Sequence, residues 1–175
     1  MVNEDAAATG GATRDVTMAE PAWRPSARAP ALWAINAALM WIPVVIAQVV
    51  WAVLDGDRTG AHLAAAAATV VSAGLHIGVV PLWRYRVHRW EISDTAVYTR
   101  SGWFTQERRI APISRIQTVD TERGPIDRWL GLATVTVTTA SSAGAVEISA
   151  LDAEVADHTV ARLTAIAGRD GADAT

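Results

Sequence analysis

Two apolar stretches, Leu32 to Leu54 and His62 to Leu82, constrain this chain more than anything else in it. Each runs to about 20 residues or slightly more, and a helix rising ~1.5 Å per residue needs about that many to cross a ~30 Å hydrocarbon core. A soluble domain can bury one such helix. Two in succession, separated only by Asp55-Gly56-Asp57-Arg58-Thr59-Gly60-Ala61, predict a two-helix transmembrane hairpin over 31–82, with spans 32–54 and 62–82. After Leu82 the chain turns polar, alternating and rich in Thr and Arg, which predicts a folded domain over 83–168 and a short disordered tail, 169–175. The mean hydropathy of +0.19, high for a chain with 19% charged residues, averages these two regimes.

The cations near the spans orient the hairpin. Arg24 and Arg28 precede the first stretch, and Arg84, Arg86 and Arg89 follow the second, while the turn carries only Arg58 beside Asp55 and Asp57. The positive-inside rule then places both ends of a multi-pass protein in the cytoplasm and the turn outside. Trp23, Trp33, Trp51 and Trp83 fall where indole rings favour the headgroup zone. The arm over 1–30 is Ala, Gly, Thr and acid, with Pro21, Pro25 and Pro30 and no apolar period, and is expected to be a disordered cytoplasmic tail. With Glu4 and Asp5 in its lead, it is not expected to be a secretory signal.

Net charge of −3 argues against nucleic acid as a partner. With no Cys, disulfides, thiolate catalysis and Cys-based metal sites are excluded. Neither span holds Asp, Glu, Lys or Arg, so a transport pathway has nothing to work with. In the second span Gly74 and Gly78 form a GxxxG, which lets backbones approach closely in lipid. Its first expected use is packing against helix one, and its sharper use is association with a second membrane protein or copy. Asn36, Pro43, Gln48, His76 and Pro81 are the polar or breaking positions, with His76 expected to bond between helices or snorkel rather than relay protons.

The domain reads as a series of short strands. Arg86 to Ile92, Ala96 to Arg100 and Trp103 to Ile110 are the first three, with turns at Ser93-Asp94 and Ser101-Gly102. Pro112 precedes a fourth, Ile113 to Glu122. There Ile116 and Val119 cannot share a face of a regular strand, so either a β-bulge lies near Gln117-Thr118 or only one of them is core. Pro125 to Leu130 is a short helix stopped at Gly131. Ala133 to Thr139 alternates with Ala133, Val135 and Val137 inward, and Ala145 to Ser149 returns after a turn at Ala140 to Gly144. Asp152 then caps an amphipathic helix that presents Ala156, Val160, Leu163 and Ala167 and is expected to stop at Gly168. Six strands and a covering helix make an α+β module.

The run Arg115-Ile116-Gln117-Thr118-Val119-Asp120-Thr121-Glu122-Arg123-Gly124-Pro125-Ile126-Asp127-Arg128-Trp129-Leu130-Gly131-Leu132 resembles the bacterial pleckstrin-homology (PH) domain of the membrane-flanked, YdbS-like type. Tyr85, Gly102, Ile110-Ala111-Pro112-Ile113 and Ala133 to Val137 follow in the family's order, and with the hairpin the resemblance covers roughly Leu32 to Ala167. It implies a PH-like fold: a bent, partly open antiparallel barrel of about seven strands capped by a C-terminal helix. It implies no enzyme activity and no cofactor. As partner it implies another membrane protein, such as a larger multi-PH protein.

Three functions remain. A non-enzymatic, membrane-anchored interaction or scaffold module leads, working beneath the inner leaflet with another membrane protein or as a homo-oligomer. An anionic-lipid binder is the alternative, with Arg84, Arg86, Arg89, Arg100, Arg108 and Arg109 as the surface, although Glu91, Glu107, Asp120 and Glu122 interleave with them. An enzyme comes last, because His62, His76, His88 and His158 lack ligand spacing and no nucleophile or phosphate-loop motif occurs. Trp129 and Leu130 are expected to plug the barrel's end; exposed, they would dock on lipid or a partner.

Overall fold

The computed structural model describes residues 21–102, 105–140 and 144–172. Pro30 stands in the first turn of α1 (Ala29–Leu54), where its missing N–H costs nothing. The second apolar stretch is one rod, Thr59–Val87, made of α2 (Thr59–Gly74), a single π turn (Leu75–Val79) and α3 (Val80–Val87). The helix widens just before Pro81, which has no N–H to offer the preceding turn. Both helices are long and apolar enough to cross a membrane, and their apolar windows are only 6% and 0% buried. Core helices of a water-soluble protein would be covered.

Gln48 and His76 are used between the helices. The Gln48 amide donates to Thr69 Oγ1, and Trp41 Nε1 donates to His76 Nδ1 at 3.2 Å. At the turn, Trp51 packs edge-on against His62, whose Nε2 bonds the Asp55 carbonyl. Gly74 and Gly78 do not belong to this contact. A Cβ added at either would meet nothing within 4 Å. The GxxxG therefore faces outward, and the expected packing against helix one is made by larger residues on the opposite face.

Two antiparallel three-stranded sheets follow, ordered β1-β2-β3 and β4-β5-β6. The first comprises β1 (Arg89–Ile92), β2 (Ala96–Ser101) and β3 (Glu107–Pro112). The second comprises β4 (Ile116–Glu122), β5 (Leu132–Thr139) and β6 (Val146–Asp152). Between β4 and β5 lies α4 (Pro125–Leu130), ended by Gly131 at φ 68°. The sheets do not close into a complete barrel, and α5 (Ala153–Ala172) covers the opening. The core draws on both sheets and this helix: Trp90, Val97, Ile113, Val135, Ile148 and Leu163 are buried together. Inward Ala133, Val135 and Val137 alternate with part-exposed Thr, as the period of two requires. Ile116 and Val119 both pack on this core because an extra residue is accommodated between Ile116 and Thr118.

Several boundaries differ from the sequence reading. Helix continues to Val87, so the first strand opens at Arg89 instead of Arg86. Trp103 and Phe104, read as the start of strand three, lie outside the described residues, as do 1–20, 141–143 and 173–175. Helix α5 passes through Gly168, where a Cβ would meet open space. An exposed helical Gly costs only about 1 kcal/mol, which does not stop a helix anchored by Leu163 and Ile166. Asp152 precedes α5, but its Oδ1 accepts from Ser26 Oγ at 2.7 Å.

That bond belongs to the largest departure. Residues 21–28, read as tail, are folded onto the domain. Trp23 exchanges both backbone hydrogen bonds with Trp90 on the edge of β1, and Trp90 Nε1 donates to the Arg24 carbonyl. Ser26 N–H donates to the carbonyl of Ala150. Ala150 sits at φ 58° in a second bulge, where β6 carries one more residue than β5 between the Ala133 and Val135 pairings.

Candidate functional site at the membrane junction

A second buried cluster of Ala29, Leu32, Trp33, Leu132 and Ala150, flanked by Tyr85, Ile126 and Leu130, joins the hairpin to the domain. It forms because α1 and the second rod are longer than a bilayer requires, leaving a turn or two of each to pack on the sheet. The exit has no linker. His88 N–H still bonds the Arg84 carbonyl, and Arg89 already pairs with Arg100 in the sheet.

Beside this cluster runs a cleft of two adjoining cavities sharing His76, Val80 and Arg84. The one between the helices, about 190 Å³, is lined also by Trp33, Asn36, Ala37, Met40 and Pro81. The one against the domain, about 410 Å³, is lined by His88, Ser101, Gly102, Glu147 and Ser149. The Arg84 guanidinium lies over the Trp33 ring at 4.3 Å. His88 packs against the same ring, with centroids 5.6 Å apart, and its Nε2 is 3.3 Å from Ser149 Oγ. His88 Nδ1 is buried without a hydrogen-bond partner among the described residues. Burial, reinforced by nearby Arg84, pushes the His88 pKa down to about 4, so the ring is neutral at pH 7. Ser149 and His88 resemble a nucleophile and base, but among the described residues no carboxylate reaches Nδ1 to orient the ring.

The six arginines grouped by sequence divide among different roles. Arg84 lines the cleft. Arg109 is bound to Glu107 at 2.7 Å and to the Ala145 carbonyl. Arg100, read as surface, is buried, and its Nε donates to the Val87 carbonyl at the end of the rod. Arg89, Arg100 and Arg108 are register neighbours across β1, β2 and β3, and Arg86 is exposed on the last turn of α3. Trp129 and Leu130 separate. Leu130 packs into the junction cluster, while Trp129 is 77% exposed and plugs nothing. The carbonyl of Leu130 accepts from Arg28 Nη1 at 2.9 Å, fixing α4 to the residue that leads into α1.

The convergence of His76, Arg84, His88, Glu147 and Ser149 was not legible from spacing. Its one sequence signal was the helical spacing of His76, inside the second span, with Arg84 and His88 after it.

A family model described as a bacterial PH domain matches residues 27–166, which include the hairpin, the junction and both sheets. The chain belongs to the bacterial PH-domain family. This bacterial PH protein is also 35% identical over 95 residues to the transmembrane protein YdbS of Bacillus subtilis (strain 168). That match covers 53% of this chain and 58% of the relative, so it spans little more than half the relative's length. No solved structure matches the chain. Together with the two exposed apolar helices, these findings make it a membrane-associated PH-domain protein of the YdbS-like type.

Proposed function

We propose that this bacterial PH protein is a non-enzymatic, membrane-anchored interaction module. Its hairpin holds the domain at the inner face of the cytoplasmic membrane, with both chain ends cytoplasmic. Its partner is another membrane protein, such as a larger multi-PH protein, or a second copy. The observation that carries this reading is Trp129. A large aromatic left 77% exposed, on a helix tied through Arg28 to the start of α1, is a docking feature placed beside the bilayer. The arginine bias at both membrane-facing ends of the cytoplasmic part supports the orientation.

A second reading, apposition to anionic lipid, is favoured by the exposed Arg86 on the last turn of α3 and the exposed Arg108 on β3. Crosslinking and co-purification of the full chain from native membranes separates the two. The proposal expects a defined membrane partner that is lost in Trp129→Ala while the variant stays folded. Recovery of only the monomer, with salt-sensitive binding to anionic vesicles that falls in Arg86→Ala/Arg108→Ala, would replace it with the lipid reading.

A further inference from the structure

We infer that the cleft between the hairpin and β6 binds one phospholipid with an amine-bearing headgroup. The phosphate lies on Arg84, the ammonium at Glu147, and an acyl chain along Ala37, Met40 and Val80. The inference requires that the two helices cross a bilayer, and it is independent of partner docking.

Its first support is depth. A hydrocarbon core takes about 20 helical residues, which counted from Leu54 reach back to Ile35 and from Ala61 reach forward to Val80. Met40 and Val80 therefore lie at or within the hydrocarbon boundary, and Arg84 stands about 6 Å beyond it at ~1.5 Å per residue, at the level of lipid phosphates. The cleft crosses that boundary, apolar on one side and polar on the other.

Its second support is unspent polar capacity. Arg84 stacks one face on Trp33, and Glu147 acts on it electrostatically from beyond ion-pair range. Guanidinium edges suit phosphate oxygens, and Trp33 holds the plane still. A cation held off from a carboxylate across a cleft is complementary to a zwitterion, with phosphate to Arg84 and ammonium to Glu147, and a primary ammonium adds N–H donors for the carboxylate that a quaternary one lacks. A purely anionic headgroup would meet Glu147 unfavourably. His76 accepts at Nδ1 from Trp41, which leaves Nε2–H as a further donor. His88 lines the same cavity.

Native mass spectrometry of the detergent-purified full chain, offered phosphatidylethanolamine, phosphatidylglycerol or phosphatidylcholine, tests this. The expected result is one tightly retained phosphatidylethanolamine, held about tenfold or more better than the other two. Glu147→Gln, at an exposed position that the fold tolerates, should abolish that preference. Arg84→Gln should lower retention of all three. Equal retention of the three lipids by the unaltered protein would overturn the inference, as would an unchanged preference in Glu147→Gln. Soluble glycerophosphoethanolamine offered alone distinguishes the source of the headgroup: retention equal to that of the lipid would overturn the acyl-chain assignment.

Discussion

At the scale of single residues, His88 and Ser26 show how side chains secure the junction. His88 is held at a pKa of about 4 in the folded protein, against 6.5 for a free histidine. The unfolded chain thus binds more protons between those values, so stability is full above pH 6.5 and declines as pH falls toward 4. The loss is at most about 3 kcal/mol. Thermal unfolding of the detergent-solubilised chain at pH 7.5 and 4.5 should show it, and His88→Asn should flatten the difference. Ser26 Oγ donates to Asp152 and accepts from Arg28 N–H. Ser26→Ala is expected to cost about 1–2 kcal/mol, read as a lowered melting temperature with unchanged oligomeric state. Neither role was visible in sequence, because both partners lie more than 60 positions away. What was visible was local, such as Gly131 ending α4 in the left-handed conformation.

Among elements, legibility followed the range of the forces involved. Strands whose period of two is enforced by one buried face, such as β5, could be read directly, and so could the bulge implied by Ile116 and Val119. The extra strand pairing at Trp23 could not, since it depends on the edge of β1 being close in space. The hairpin is the instructive mixture. Its existence followed from length and hydropathy, but the face it uses did not, because two faces of the second helix offered plausible contacts. Gly74→Ala and Gly78→Ala are expected to leave helix pairing unchanged, whereas Gln48→Leu, which removes the bond to Thr69, should weaken it by about 1 kcal/mol. Disulfide crosslinking between cysteines introduced across the two helices reads both effects.

For the whole molecule, hairpin and domain form one folding unit. Leu132 and Ala150 are buried against Ala29, Leu32 and Trp33, and Trp23 covers the edge of β1. A fragment starting at Trp83 would expose that apolar patch and leave the β1 edge unpaired, an invitation to aggregate. It is expected to be insoluble or rapidly proteolysed when expressed alone. The family match beginning at residue 27, before the first helix, agrees with a unit that includes the anchor.

The unbroken passage from helix to strand at Val87 and Arg89 also makes the molecule a lever. A domain of some 90 residues is roughly 30 Å across. A helix that tilts by about 10° to match a thinner bilayer would swing the far face of such a domain by about 5 Å. With no flexible joint to absorb that motion, and with Ser26 and Arg28 bracing the second attachment, bilayer thickness becomes a coordinate that the domain's far surface must follow.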